Sequence, residues 1–317
     1  MKETETTLAK TISVAGVNAA YDNACKRILS DKNILAWIMK SCLPEYKTCS
    51  VDEIAANYIE GEPQISDIAV HQDEQKNSSR IQGMNTEDVS INEGTVTYDI
   101  RFYALAPVSG ERIRLIINVE AQNDFYPGYP VVKRNIYYCS RLISSQHGTE
   151  FEGSHYEQIK KVYSIFICME PPKYRRNTIN CYSIQEENVI GNAKEKKENY
   201  DLMTAVMLCL GVKDDEEVSG ILRLLEVLLS SERNAEEKKK ILQEEYGIEM
   251  TKKLDKEVSE MCNLSKGVEA RGIQKGIQKG ILSSIQTLMV TMSWTVEQAM
   301  DALKIPKEDR IKYLEKL

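Results

Sequence analysis

Residues 115–124 read LIINVEAQND, and the reading of this run decides the fold. Successive side chains of a strand point to opposite faces. Leu115, Ile117, Val119 and Ala121 therefore share one face, and Asn118, Glu120 and Gln122 share the other. A carboxylate and an amide two residues apart suit a solvated edge strand, and they suit an active site equally well. The choice depends on what lies opposite.

Upstream, TVTYDIRFYAL (95–105) reads as a second strand. Val96, Tyr98, Ile100 and Phe102 alternate with Thr95, Thr97, Asp99, Arg101 and Tyr103. The connection APVSGERI contains Ser109-Gly110, a hairpin-turn pair. A turn centred there sets Asp99 directly opposite Glu120. Two like charges so placed, with Cβ atoms about 4.5–5.5 Å apart, are destabilising unless something offsets them. A one-residue slip would separate them.

Further out, residues 18–42 read as one helix with Ala24, Ile28, Leu35, Ile38 and Met39 as its apolar stripe. Asp22 and Lys26 are spaced to pair on its surface. Residues 61–94 are polar and turn-rich and read as a long irregular connection. After the loop FYPGYP (125–130), a helix is expected over 131–145, with Val132, Ile136, Cys139 and Ile143 as its apolar stripe. Arg134, Tyr138 and Arg141 fall together on another face. KKVYSIFICME then supplies a strand from Val162 to Cys168. Between 131 and 176, Lys133, Arg134, Arg141, Lys160, Lys161, Lys173, Arg175 and Arg176 stand against Glu150, Glu152, Glu157 and Glu170, so this segment is locally basic.

From about Asn199 the pattern reads as wholly helical, in clusters such as LMTAVMLCL and ILRLLEVLL. GIQKGIQKG repeats glycine at 272, 276 and 280 and reads as a weak helical linker, each glycine costing roughly 1 kcal/mol relative to alanine. The tail from Trp294 reads as two short helices broken at Pro306. The domains expected are a first unit over 15–195, a helical extension over 196–265, and linker plus tail over 266–317, the C-terminal helices being a candidate surface for homo-oligomer contacts.

Composition sets outer bounds. The chain has 317 residues, 42% hydrophobic and 28% charged, which is the balance of a soluble globular protein. A net charge of -7 argues against indiscriminate coating of nucleic acid. Eight cysteines without a CxxC pair, and three histidines, give no structural zinc pattern. The cysteines read as reduced core residues. No signal-peptide pattern opens the chain and no segment approaches the roughly 20 apolar residues of a membrane span. The expectation is a cytoplasmic protein without membrane contact.

Two carboxylates on adjacent strands make a hard-oxygen site of the kind Mg²⁺ accepts together with substrate phosphate oxygens. Such a metal would offset the repulsion between Asp99 and Glu120 and activate water for attack. Gln122 is placed to orient that water or to hydrogen-bond a phosphate oxygen. Arg134 and Arg141 are candidates to hold a phosphate backbone.

The spacing of Asp99 and Glu120-Ala121-Gln122 resembles the D…(D/E)xK signature of the PD-(D/E)xK nuclease superfamily. GTVTYDIRFYA, INVEAQNDFYPGYPVVKRNIYYCSRLISSQ, SHYEQIKKVYSIFICME and ENYDLM resemble, in order and spacing, the Rpn family of recombination-promoting nucleases and transposases. The resemblance covers most of residues 15–265. It implies a restriction-endonuclease-like mixed sheet flanked by helices that cleaves DNA phosphodiesters with Mg²⁺, Mn²⁺ being a substitute. Asp99 and Glu120 fall on the family's metal-binding acids, and Gln122 on the position where the wider motif has lysine. A third acid is Asp22 or Glu93. An amide at 122 cannot stabilise developing negative charge as lysine does. A degenerate nuclease fold kept as a DNA- or protein-binding module is the competing expectation.

Overall fold

The computed structural model describes residues 19–65, 87–90, 94–107, 113–213, 218, 220–306, 310 and 313–314. The chain divides into two compact units, residues 1–262 and 263–317.

The first unit is built on a six-stranded mixed sheet flanked by helices. In chain order the strands are β1 (Ile59–Ile65), β2 (Glu87–Ser90), β3 (Gly94–Thr97), β4 (Ile100–Ala106), β5 (Ile113–Asp124), β6 (Val162–Glu170), β7 (Thr178–Ser183) and β8 (Met203–Cys209). The large sheet runs β1-β4-β5-β6-β8-β7, while β2 and β3 form a separate antiparallel pair. β5, β6 and β8 are parallel, with antiparallel strands on both sides. β5 and β6 are joined by a crossover helix, α4 (Val131–Ser144), as parallel neighbours require.

The expected register between the two central strands is the one observed. Ile100 pairs with Val119 and Ala106 with Ile113, and this regular pairing stops one residue short of Asp99. The turn at Ser109-Gly110 lies outside the described residues. TVTYDIRFYAL, however, is not one strand. It breaks at Tyr98-Asp99, so β3 and β4 belong to different sheets. Alternation does not survive the break: Tyr98 packs with Cys139 and Leu142 of α4, on the opposite side from the one its parity with Ile100 suggested.

Helix α4 covers the face of the sheet that carries Asn118, Glu120 and Gln122. Its buried residues are Val131, Asn135, Cys139, Arg141 and Leu142, so the expected stripe through Val132 and Ile136 is displaced by one residue and Ile136 is exposed. Asn135 enters that stripe because its amide donates to the Val206 carbonyl at 2.9 Å. On the other face, Tyr163 Oη donates to Glu45 at 2.7 Å, in the turn that follows helix α2 (Lys32–Cys42). Both faces are therefore covered, and β6 is buried from Val162 to Cys168.

Three further expectations change. The single helix over 18–42 is two, α1 (19–29) and α2, because Asp31 caps α2 by accepting from the Asn33 N–H. The connection over 61–94 holds edge strand β1 and the pair β2–β3; residues 66–86 lie outside the described residues. The region after Asn199 is not wholly helical: LMTAVMLCL forms β8, inside the sheet. A continuous apolar run buried on both faces has no alternation to distinguish it from a buried helix.

Helices α3 (Val51–Asn57), α5 (Gly220–Leu229), α6 (Ala235–Tyr246) and the first part of α7 (Lys252–Met292) complete this unit. Lys238 of α6 is fully buried and its Nζ donates to the carbonyls of Leu228 and Ser230, both at 2.7 Å, satisfying groups that the end of α5 leaves open. Lys238→Met keeps the volume and strands those carbonyls. It is expected to cost about 1–3 kcal/mol, read as a lower urea midpoint; an unchanged midpoint would show the bonds to be without net value.

The second unit holds the remainder of α7 and α8 (Val296–Ala302). Ile285, Ala299, Met300, Ile305 and Tyr313 form its own apolar cluster. The glycine repeat lies within α7 rather than in a break. Among the described residues, no helix is long and apolar enough to cross a membrane.

Candidate active site

Asp99 sits at the bend that precedes β4, and Glu120 lies toward the carboxyl end of β5. The Asp99 N–H donates to Glu120 Oε1 at 2.9 Å, and the Ala121 N–H donates to Asp99 Oδ2 at 3.1 Å. Each carboxylate thus uses one oxygen to grip the other strand's backbone. The break at Tyr98-Asp99 makes this possible, since it releases the Asp99 N–H from regular pairing.

The other two oxygens face cations. Asp99 Oδ1 lies 2.9 Å from Lys26 Nζ, and Glu120 Oε2 lies 3.8 Å from Arg134 Nη2. Lys26 also meets Asp22 Oδ2 at 2.8 Å, so one ammonium bridges two carboxylates on different elements. Asp99 is 3% exposed, Glu120 1% and Lys26 0%. This polar strand face is interior, which removes the solvated-edge reading of LIINVEAQND.

Burial, then the adjacent Asp99 charge, holds the Glu120 carboxyl well above the usual carboxylate range. Burial also raises Asp99, against the pull of Lys26. For Lys26, burial opposes the charged form, but Asp99 and Asp22 outweigh it and keep its pKa above the ordinary lysine value. Three carboxyl groups here meet two cationic side chains, and the Asp99–Glu120 repulsion is only partly offset.

Arg134 is held from several sides. Its Nη1 donates to Tyr129 Oη at 3.0 Å, and its guanidinium lies over the rings of Tyr138 and Phe166, 5.4 and 5.1 Å from their centroids. Gln122 is buried on the same strand face as Glu120 and pairs in register with Cys168 of β6. Arg141 is buried along α4, and its Nη1 donates to Tyr137 Oη at 3.1 Å. Glu93 lies outside the described residues, so of the two candidate third acids only Asp22 is seen at the pair.

Lys26 is the residue that the pattern concealed. Its spacing from Asp22 suggested an ordinary surface pair. Cys25 and Leu29, both buried, were the contrary signal, because they add apolar residues beyond the Ala24–Ile28 stripe. A helix apolar on several sides is a buried one, and a lysine within it needs a partner.

The carboxylates are hard oxygen donors suited to Mg²⁺, and their residual repulsion is what a divalent cation would relieve. Among the described residues, no group of three or more His, Cys, Asp and Glu side chains is placed to hold a metal ion. An ion resting on two carboxylates and several waters needs none. No protein-family model matches this chain, and no curated protein or solved structure does so either.

Proposed function

We propose that the chain is a Mg²⁺-dependent deoxyribonuclease of the PD-(D/E)xK kind, in which the lysine comes from α1 instead of from β5. The carrying observation is the buried Asp99–Glu120 pair with the Lys26 ammonium 2.9 Å from Asp99. A structural ion pair has no need of a second carboxylate facing the first, whose repulsion costs stability. The resemblance to recombination-promoting nucleases supports the same reading and extends it to a role in DNA recombination or transposition.

Asp99 and Glu120, with Asp22 beside them, would hold the metal, which when bound would supply an activated water and charge stabilisation. Lys26 presents a fixed positive charge to the phosphate oxygens as negative charge develops on them. Gln122 orients the attacking water through its amide. Arg134, braced by Tyr129, Tyr138 and Phe166, holds the scissile phosphate or its neighbour. The neutral amide at 122 then no longer predicts a crippled enzyme, because the motif's positive charge is present from another element.

A second reading has one observation in its favour: Lys26 and Arg134 already stand at the free carboxylate oxygens. A degenerate fold that binds DNA without cutting it would look the same. Supercoiled plasmid incubated with purified protein separates the two. Nicking is expected to be absent in EDTA and to return with Mg²⁺ or Mn²⁺. DNA that is bound but stays intact in every metal condition would leave the binding module as the function.

A further inference from the structure

The carboxyl ends of β5 and β6 lead into two tyrosine-bearing loops. FYPGYP (125–130) follows β5, and PPKYRR (171–176) follows β6. Tyr126 is 62% exposed and Tyr174 is 72% exposed, yet their hydroxyls meet at 3.0 Å. The two rings contribute little to the core, and because they meet they present one joined aromatic surface to solvent. Four prolines (Pro127, Pro130, Pro171, Pro172) stiffen the loops, and Gly128, at φ +96, makes a turn that other residues rarely adopt.

The charge around these rings is positive. Lys133, Arg134, Lys173, Arg175 and Arg176 fall within 123–134 and 169–176, against Asp124 and Glu170, in a protein of net charge -7. The Arg175 guanidinium lies 5.8 Å from the Tyr174 ring centroid. The rim also connects inward: Tyr129 holds Arg134, and Arg134 faces Glu120. A strand crossing the tyrosines would therefore be led by its phosphates toward the carboxylate pair.

Exposed aromatic faces set among cations are how proteins hold unpaired nucleic acid, because every base has a face to stack and every nucleotide carries a phosphate. A duplex keeps its bases stacked on one another and cannot use such rings. We infer that Tyr126 and Tyr174 form a base-stacking platform and that the substrate is a single-stranded or locally unpaired DNA segment delivered to Asp99 and Glu120. The inference rests on the nuclease reading for the identity of the polymer.

Binding is measured apart from cleavage. Fluorescence anisotropy in EDTA compares a labelled 30-nucleotide single strand with the duplex of the same sequence, on the full chain. The single strand is expected to bind about tenfold or more tightly. Tyr126→Ala/Tyr174→Ala should abolish that preference, and Tyr126→Phe/Tyr174→Phe, which keeps the rings and loses the hydroxyls, should retain it. Equal affinity for duplex and single strand, or an Ala pair that binds as the parent does, would overturn the platform. Both tyrosines are exposed, and unchanged melting confirms that the variants fold. If single strands bind as expected but are never cut with Mg²⁺, the nuclease reading falls and the platform stands. If duplex is cut and no strand preference exists, the reverse holds.

Discussion

Glu120→Gln is expected to abolish cleavage and to raise the melting temperature at the same time. The amide oxygen can still accept from the Asp99 N–H, so the link between the strands survives. The charge does not, and with it goes one of two oxygens offered to the metal. Metal-based charge stabilisation is worth several kcal/mol, so the cleavage rate should fall by about 10³-fold or more. Meanwhile a buried carboxylate, held well above its usual pKa by burial and by Asp99, is replaced by a neutral group. Removing like-charge repulsion from an interior site stabilises the fold, and about 1 kcal/mol moves a domain of 150–250 residues by roughly 2–4 °C. Strain accepted for activity is a known signature of working sites. A variant that melts lower and still nicks plasmid would sink the proposed role of Glu120.

The second large effect concerns Lys26. In Lys26→Met, cleavage at saturating Mg²⁺ is expected to fall by about 10²–10³-fold, the usual cost of losing one preorganised group aimed at developing charge. The substitution also leaves Asp99 and Asp22 without their bridging ammonium. Breaking a buried pair can cost about 3–5 kcal/mol, so the rate must be normalised to folded protein by circular dichroism on the same sample. Metal titration distinguishes two roles. If Lys26 were only a counter-ion for Asp99, added Mg²⁺ would take its place and restore full cleavage. A loss that persists at saturation marks Lys26 as acting on the substrate.

How much of this was legible beforehand varies along the chain for physical reasons. LIINVEAQND and IRFYAL carried their register openly, because one alternating face is apolar and the two strands are neighbours in sequence. The Asp99–Glu120 contact followed from that register. The break at Tyr98-Asp99 did not, since β-rich residues continue through it and only pairing with a different strand reveals it. β8 was hidden by its success as a core strand: LMTAVMLCL has no polar face left to show a period. β1 was hidden for the opposite reason. Its GEPQI contains Gly61 and Pro63, which belong at edges and irregularities, and its register with β4 does shift between Glu60 and Gln64. Lys26 lay 73 positions from Asp99 by numbering, and no local pattern reports a contact across that distance. Helical spacing from Asp22 supplied a bland explanation and masked the larger one.

What holds α1 in place has a consequence for the order in which the protein is made. Tyr21 Oη donates to the Leu229 carbonyl, the Cys25 thiol meets Met261, and Arg27 pairs with Glu260. All three partners lie more than 200 positions downstream. A growing chain carries Asp99, Glu120 and Gln122 long before it carries the residues that brace the helix bearing Lys26. Until residue 229 has left the ribosome none of these three contacts can form, and until residue 261 has left the set is incomplete. The lysine is synthesised more than 200 residues before the groups that brace its helix, so assembly of the site waits for the end of the first unit's synthesis.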